Sequence, residues 1–249
     1  MAAMSLRFHE IAESGHRILN PFTHDKLTLL GEVARLRQGA RLLDLCCGKG
    51  EMLCQWSLAH GIEGVGVDIS DVFLDAARAR AEELGVADRV RLEKGDAGAY
   101  RAEAGAFDVV SCLGATWIGG GLEGTVKLML PALKDDGILL VGEPYWNSEP
   151  PAGAYESFGF GPDDFTSLAG TFDRFEAAGV EVLEMVLADQ DSWDRYTASQ
   201  WWTLSDWERG NPDDPEVEEV RDFLQRSRRS HVEYGRRYLG WGVFVVRRR

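Results

Sequence analysis

The sequence predicts an α/β protein: a three-layer sandwich with helices on both faces of a seven-stranded, mostly parallel sheet, an antiparallel last strand, and a helical insertion between the sixth and seventh strands. Three observations lead there. Short apolar runs alternate with segments of helical period, the rhythm of βαβ units. The first apolar run opens through Cys47-Gly48-Lys49-Gly50 into a helix. At 249 residues, 45% hydrophobic, the chain is long enough for one well-buried core and short for two.

Before the first strand, a short helix is expected over Leu6 to Ser14. A second is capped by Thr23, with Leu27, Leu30, Val33 and Leu36 on one face. Together they read as an amino-terminal lid or brace over residues 1–38. Arg41 to Cys46 is the first buried strand, and the helix that follows starts at Glu51 and stops near Gly61, with glycine at both ends as helix punctuation. Gly64 to Ile69 is the second strand, and Ser70 caps a helix through Leu84 closed by Gly85. Val90 to Lys94, Phe107 to Leu113 and Gly137 to Glu143 are the third to fifth strands, with a helix around Thr125 to Leu133 between the last two.

Past Pro144 the prolines and glycines from Pro150 to Pro162 predict a long loop, long enough to be functional, before a helix near Phe165 to Ala178. Val180 to Leu187 is the sixth strand and Gly242 to Val246 the seventh, which closes a core of residues 39–190 with a final strand in 240–249. Between them, 191–239 reads as an insertion of two helices, Asp191 to Arg209 and Pro215 to about Tyr238. On the second, Val217, Val220, Leu224, Ser227, His231, Tyr234 and Tyr238 share a face.

The formal charge is −14, from 41 acidic against 27 basic residues, so the average field repels phosphate backbones and anionic lipid. Neither a nucleic acid nor a membrane is expected as a partner, and Arg226 to Arg229 and Arg247 to Arg249 read as a solvated helix face and tail. No apolar run spans a bilayer, and Met1 to Phe8 lacks the charged-then-apolar order of a signal peptide, so a cytoplasmic location is expected. Cys46, Cys47, Cys54 and Cys112 lie in the first half without a Cys-x-x-Cys pair; they read as reduced, buried thiols and no metal site is expected.

In a doubly wound sheet a nucleotide cofactor sits at the carboxyl ends of the strands, where close backbone approach requires glycine. Asp44 to Gly50 supplies that loop. Asp68 ends the second strand, where a carboxylate can accept ribose hydroxyls; Asp96 and Ala97 follow the third, where a side-chain acceptor and an N–H can read an adenine edge. Leu113 ends the fourth strand beside the loop.

This set resembles the class I, Rossmann-like S-adenosylmethionine-dependent methyltransferase superfamily, whose first motif, acidic-x-x-x-Gly-x-Gly, stands here as Asp44 to Gly50. The runs Gly114 to Ile118, Gly142 to Trp146 and Gly240 to Phe244 are similar to a bacterial branch of it. The resemblance implies S-adenosylmethionine as cofactor, S-adenosylhomocysteine as product and a small-molecule methyl acceptor. It also implies cofactor contacts at Asp44, Gly48, Gly50, Asp68, Asp96 and Ala97, to which the adjacent Cys46, Ile69 and Leu113 are added. Two alternatives stay open. One is an NAD(P)-dependent oxidoreductase, although Leu53 stands where a dinucleotide fingerprint has its third glycine. The other is a cofactor-binding protein without transfer activity, since methyl displacement has no obligatory base.

Alignment and exclusion of water suit an aromatic pocket, and rings facing a cation contribute about 0.5 to 2 kcal/mol each. Trp117, Tyr145 and Trp146 follow the fourth and fifth strands, and Trp193 and Tyr196 come from the insertion; these, with His231, are the expected acceptor pocket, while Trp201 and Trp202 read as packing. For His231 the alternative is a partly buried histidine on an apolar helix face. If the acceptor must lose a proton, Glu143, Tyr145, His16 and His231 are the candidate bases, His16 because a non-helical, glycine-containing stretch beside the lid can close over the cofactor.

Overall fold

A computed structural model of the chain describes residues 5–249. The reading of the amino terminus as lacking a signal pattern rests partly on residues 1–4, which lie outside the described residues.

Seven strands form one sheet in the order β3-β2-β1-β4-β5-β7-β6: β1 is Arg41–Leu45, β2 Glu63–Asp68, β3 Val90–Lys94, β4 Phe107–Leu113, β5 Leu133–Trp146, β6 Val180–Leu187 and β7 Leu239–Arg248. β1 to β5 pair in parallel, whereas β7 runs antiparallel to both β5 and β6. The strand order reverses between β1 and β4, so their carboxyl ends, with Leu45 opposite Cys112, splay apart into the crevice such a sheet offers to ligands.

The helices are α1 Leu6–Ala12, α2 His24–Val33, α3 Glu51–His60, α4 Asp71–Glu83, α5 Leu122–Met129, α6 Ala152–Phe158, α7 Leu168–Ala177, α8 Gln190–Gly210 and α9 Val217–Ser230. Their starts follow local chemistry. Ser5, Thr23, Ser70, Ser167 and Asp189 each accept from an N–H of the first turn, replacing a bond the helix lacks there. One apolar cluster on one face of the sheet joins Leu43, Val110, Leu139 and Phe244 to Val126, Met129 and Phe175. The other face joins Leu42, Val109, Leu140 and Val243 to Leu30, Leu53 and Trp56. A third, smaller cluster ties Phe8 and Ala12 of α1 to Leu204, Val220 and Leu224 of α8 and α9, so the amino-terminal brace and the insertion share one packed unit.

Leu53 explains how helix and sheet approach closely without a glycine on α3. It is fully buried, and a Cβ on Gly64 or Gly66 of β2 would stand 2.9 or 2.8 Å from its methyls. The room that a dinucleotide loop makes on the helix is made here on the strand.

Four expectations are corrected. The fifth strand is twice the expected length, because it starts at Leu133 and crosses Pro144. Pro144 is tolerated because Trp146, two residues on, sends its N–H to Thr166 O beyond the end of β4, so the missing donor faces no β4 partner. The helix expected through Leu133 stops at Met129, with a 3₁₀ turn Leu130–Ala132 built on Pro131. The long loop after Pro150 contains α6, entered at Pro151 and ended by Gly159 in the left-handed region. The last insertion helix gives way at His231–Gly235 to a π-helical turn before Arg236–Tyr238.

Candidate functional site

The loop between β1 and α3 is bent by three left-handed residues, Cys46 (φ 60°), Gly48 (φ 53°) and Gly50 (φ 63°). A non-glycine residue in that region is strained, and Cys46 is held there as Cys47 N–H donates to Val67 O at 3.0 Å. Gly48 N–H donates to Asp68 Oδ2 at 2.8 Å, and Ser70 N–H to Oδ1 at 2.9 Å. One carboxylate at the end of β2 therefore fixes both the glycine loop and the start of α4. Each of its oxygens retains a lone pair for a further donor.

Behind the loop, Asp44 is buried at the end of β1 and accepts from Ser111 Oγ at 2.7 Å. Burial pushes its carboxyl up to about 7; the Ser111 bond opposes this and the Asp68 charge adds to it. Beyond β3, Asp96 Oδ1 accepts from Gly98 N–H at 2.8 Å, shaping the turn after Ala97.

These strand ends open on a cavity of about 840 Å³. Its lining includes Asp44, Cys46, Gly48, Asp68, Ile69, Asp96, Ala97 and Leu113, eight of the nine residues expected around a cofactor. Gly50 is the exception: it starts α3, and a Cβ there would stand 2.9 Å from the Ala77 Cβ, so its glycine serves the packing of α3 on α4. The same cavity is lined by Leu19, which abuts Gly48, by Asn20, which abuts Leu113, and by Phe22, Pro144, Trp193, Tyr196 and Trp241, together with Trp117, which is 73% exposed.

The remaining expected residues are placed elsewhere. Glu143 is buried behind the cavity wall, accepts from Thr116 Oγ1 at 2.7 Å, and is pushed up to about 7 by burial, partly offset by that bond. Tyr145 packs in the apolar cluster against Gly240, where a Cβ would strike its ring at 2.4 Å. Trp146 sits among Tyr155, Phe158 and Phe160, drawn away by the α6 region that the sequence reading left as loop. His231 bonds Asp194 at 2.8 Å and meets the Trp201 ring edge-on, the alternative its helical face allowed. His16 does not line the cavity; its Nδ1 bonds Glu13 at 2.7 Å and its Nε2 bonds Ser199.

The sequence reading missed the groups that hold the amino-terminal segment against the cavity. Lys49 Nζ donates to three carbonyls of that segment, those of Glu13 (2.8 Å), Ser14 (3.0 Å) and His16 (2.7 Å). Desolvation lowers its ammonium pKa, and the Glu13 charge works against that. The Asn20 amide, oriented to donate, reaches Leu19 O at 3.1 Å and Leu113 O at 3.3 Å, which sets the segment against the end of β4. Trp241 of β7 meets Phe22 of the same segment edge-on, with centroids 4.9 Å apart. Only Lys49, inside the glycine loop, carried a sequence signal that pointed here.

Residues 42–137 match the family model described as "Methyltransferase domain". A SAM-dependent methyltransferase from Geobacter sulfurreducens, solved with S-adenosyl-L-homocysteine, is 48% identical with a TM-score of 0.94, and 98% of each chain is covered. A second, from Thiobacillus denitrificans with the same ligand, is 46% identical with a TM-score of 0.93, again over 98% of each chain. Escherichia coli K12 YjhP is 46% identical over 242 residues, 96% of this chain and 97% of that protein.

Proposed function

The chain belongs to the class I S-adenosylmethionine-dependent methyltransferases, and on that premise we propose that its lidded cavity holds the cofactor against the loop Cys46 to Gly50 and a small-molecule acceptor among Phe22, Trp117, Trp193, Tyr196 and Trp241. The observation that carries this reading is Asp68: it is bonded to the Gly48 N–H yet keeps lone pairs at the cavity, so one residue can set the loop and receive ribose hydroxyls. The buried Asp44, the turn at Asp96-Ala97 and the exposed Ile69 fit the amino-acid and adenine ends of the same ligand.

When bound, S-adenosylmethionine supplies the methyl group as a sulfonium. The chain's own part is to align the acceptor and exclude water, which the Lys49 and Asn20 bonds to the lid and the aromatic side chains accomplish. Glu143, Tyr145 and His16 lie off the cavity and are not offered as direct bases. A nicotinamide reading is not favoured, because Leu53 fills the position of the third glycine.

We place the enzyme in the cytoplasm with neither nucleic-acid nor membrane partner. Its net charge of −14 supports this, and among the described residues no helix is long and apolar enough to cross a membrane. Incubation with isotopically methyl-labelled S-adenosylmethionine and a panel of small alcohols, phenols and amines tests the reading. The expected result is label in a small product; label only in protein or nucleic acid would contradict it.

A further inference from the structure

Glu13, at the carboxyl end of α1, is a carboxylate only 1% exposed, and burying a charge is costly unless donors surround it. Here they do. Oε1 accepts from Tyr196 Oη at 2.7 Å and Gln200 Nε2 at 2.6 Å, and Oε2 is bonded by His16 Nδ1 at 2.7 Å. Burial would raise its pKa, but the bonds from His16 and Tyr196 and the charges of His16 and His9 bring it below the usual range, so Glu13 is ionised. Burial and the Glu13 charge push the Tyr196 phenol the other way, so it keeps its proton.

A carboxylate only accepts, so the Tyr196 proton is committed to Glu13 and the phenol oxygen is left to act as an acceptor. Tyr196 lines the cavity. Its hydroxyl stands 3.3 Å from Leu19 O, which the Asn20 amide joins to Leu113 O, so successive contacts lead from the phenol to the end of β4.

We propose that Tyr196 is the catalytic group that takes the proton of a protic acceptor, a hydroxyl or an amine N–H, and that Glu13 is the sink for the proton Tyr196 gives up in turn. As the carbon–sulfur bond of the donor breaks and the carbon–oxygen or carbon–nitrogen bond forms, the acceptor's proton passes to the Tyr196 oxygen and the Tyr196 proton to Glu13 Oε1. The positive sulfonium and the negative carboxylate are both neutral afterwards, so the step removes a charge pair from a closed cavity rather than creating one.

The inference rests on the methyltransferase reading and can fail without it. Calorimetry on the intact protein compares S-adenosylhomocysteine with sinefungin, the analogue carrying an amine-bearing carbon where the methylated sulfur would be. Its N–H groups point where a protic acceptor would. Wild type should prefer sinefungin, and Tyr196→Phe, which keeps the ring stacked on His16 with centroids 4.9 Å apart, should lower that preference about tenfold. Glu13→Gln should lower it too; a folded Glu13→Gln protein with the full preference would remove Glu13 from the scheme. An unchanged preference in Tyr196→Phe, or equal weakening of both ligands, would overturn the proposal and make Tyr196 a brace of the lid. Failure of wild type to bind S-adenosylhomocysteine would instead overturn the reading on which it rests.

Discussion

Gly48 and Asp68 are joined by a 2.8 Å hydrogen bond between the loop after β1 and the last residue of β2. The parallel pairing that sets Leu45 opposite Val67 brings the two together, and the bond holds the loop amide and the carboxylate in one orientation before any ligand arrives.

Asp68→Ala removes the acceptor of two backbone donors as well as the proposed ribose contact. Affinity for S-adenosylhomocysteine should fall by about tenfold or more while the fold persists. Calorimetry with circular dichroism on the same samples separates lost binding from lost structure.

Lys49→Met keeps the aliphatic stem and deletes the three bonds to lid carbonyls. Bonds to a charged group contribute about 1.5 to 3 kcal/mol, so the melting temperature should fall by several degrees. The exposed Arg17 beside the lid should become a faster trypsin site, and an unaltered digestion rate would show that Lys49 does not restrain the lid.

His231→Ala tests the displacement of that residue from the acceptor pocket. The His231–Asp194 bond lies outside the cavity lining, so S-adenosylhomocysteine affinity should be retained and stability should drop by about 1–3 kcal/mol. A loss of affinity without loss of stability would return His231 to the site.

Glu143 gives a stability profile in pH. Its folded pKa, about 7, exceeds the ordinary 4.5 because burial disfavours the charge. Between these values the folded state binds a proton that the unfolded state has released, so its contribution is full below about 4.5 and is lost as pH rises through about 7. Glu143→Gln keeps an acceptor for Thr116 and should stabilise the protein at pH 8 relative to wild type, with the gap narrowing toward pH 5. Melting curves across that range check the sign.

Much of the fold was legible because its punctuation is local. Val90–Lys94, Phe107–Leu113 and Val180–Leu187 have the bounds expected of them, and Thr23 and Ser70 cap the helices assigned to them. The part of the cavity around the glycine loop was legible for the same reason: Asp44, Gly48, Asp68 and Asp96 each stand at or just past a strand end, where the sheet delivers them together. The fifth strand was underread because Asp135, Asp136 and Pro144 look like breakers until the neighbouring strands are known.

The contacts of the amino-terminal segment with the rest of the cavity wall were not legible. Glu13 meets Tyr196 across 183 positions of sequence and Lys49 across 36, and no periodicity encodes that meeting. Trp146 and Tyr145 occupy the expected strand end, yet packing by α6 and by β7 at Gly240 turned their rings into the core.

The most direct test of the account is a thermal-shift titration of the wild-type protein with S-adenosylhomocysteine, NAD and NADP in parallel. Saturable stabilisation by S-adenosylhomocysteine alone, by about 2.7 kcal/mol at a hundredfold excess over Kd, is the predicted result. Stabilisation by a nicotinamide nucleotide and none by S-adenosylhomocysteine would contradict it.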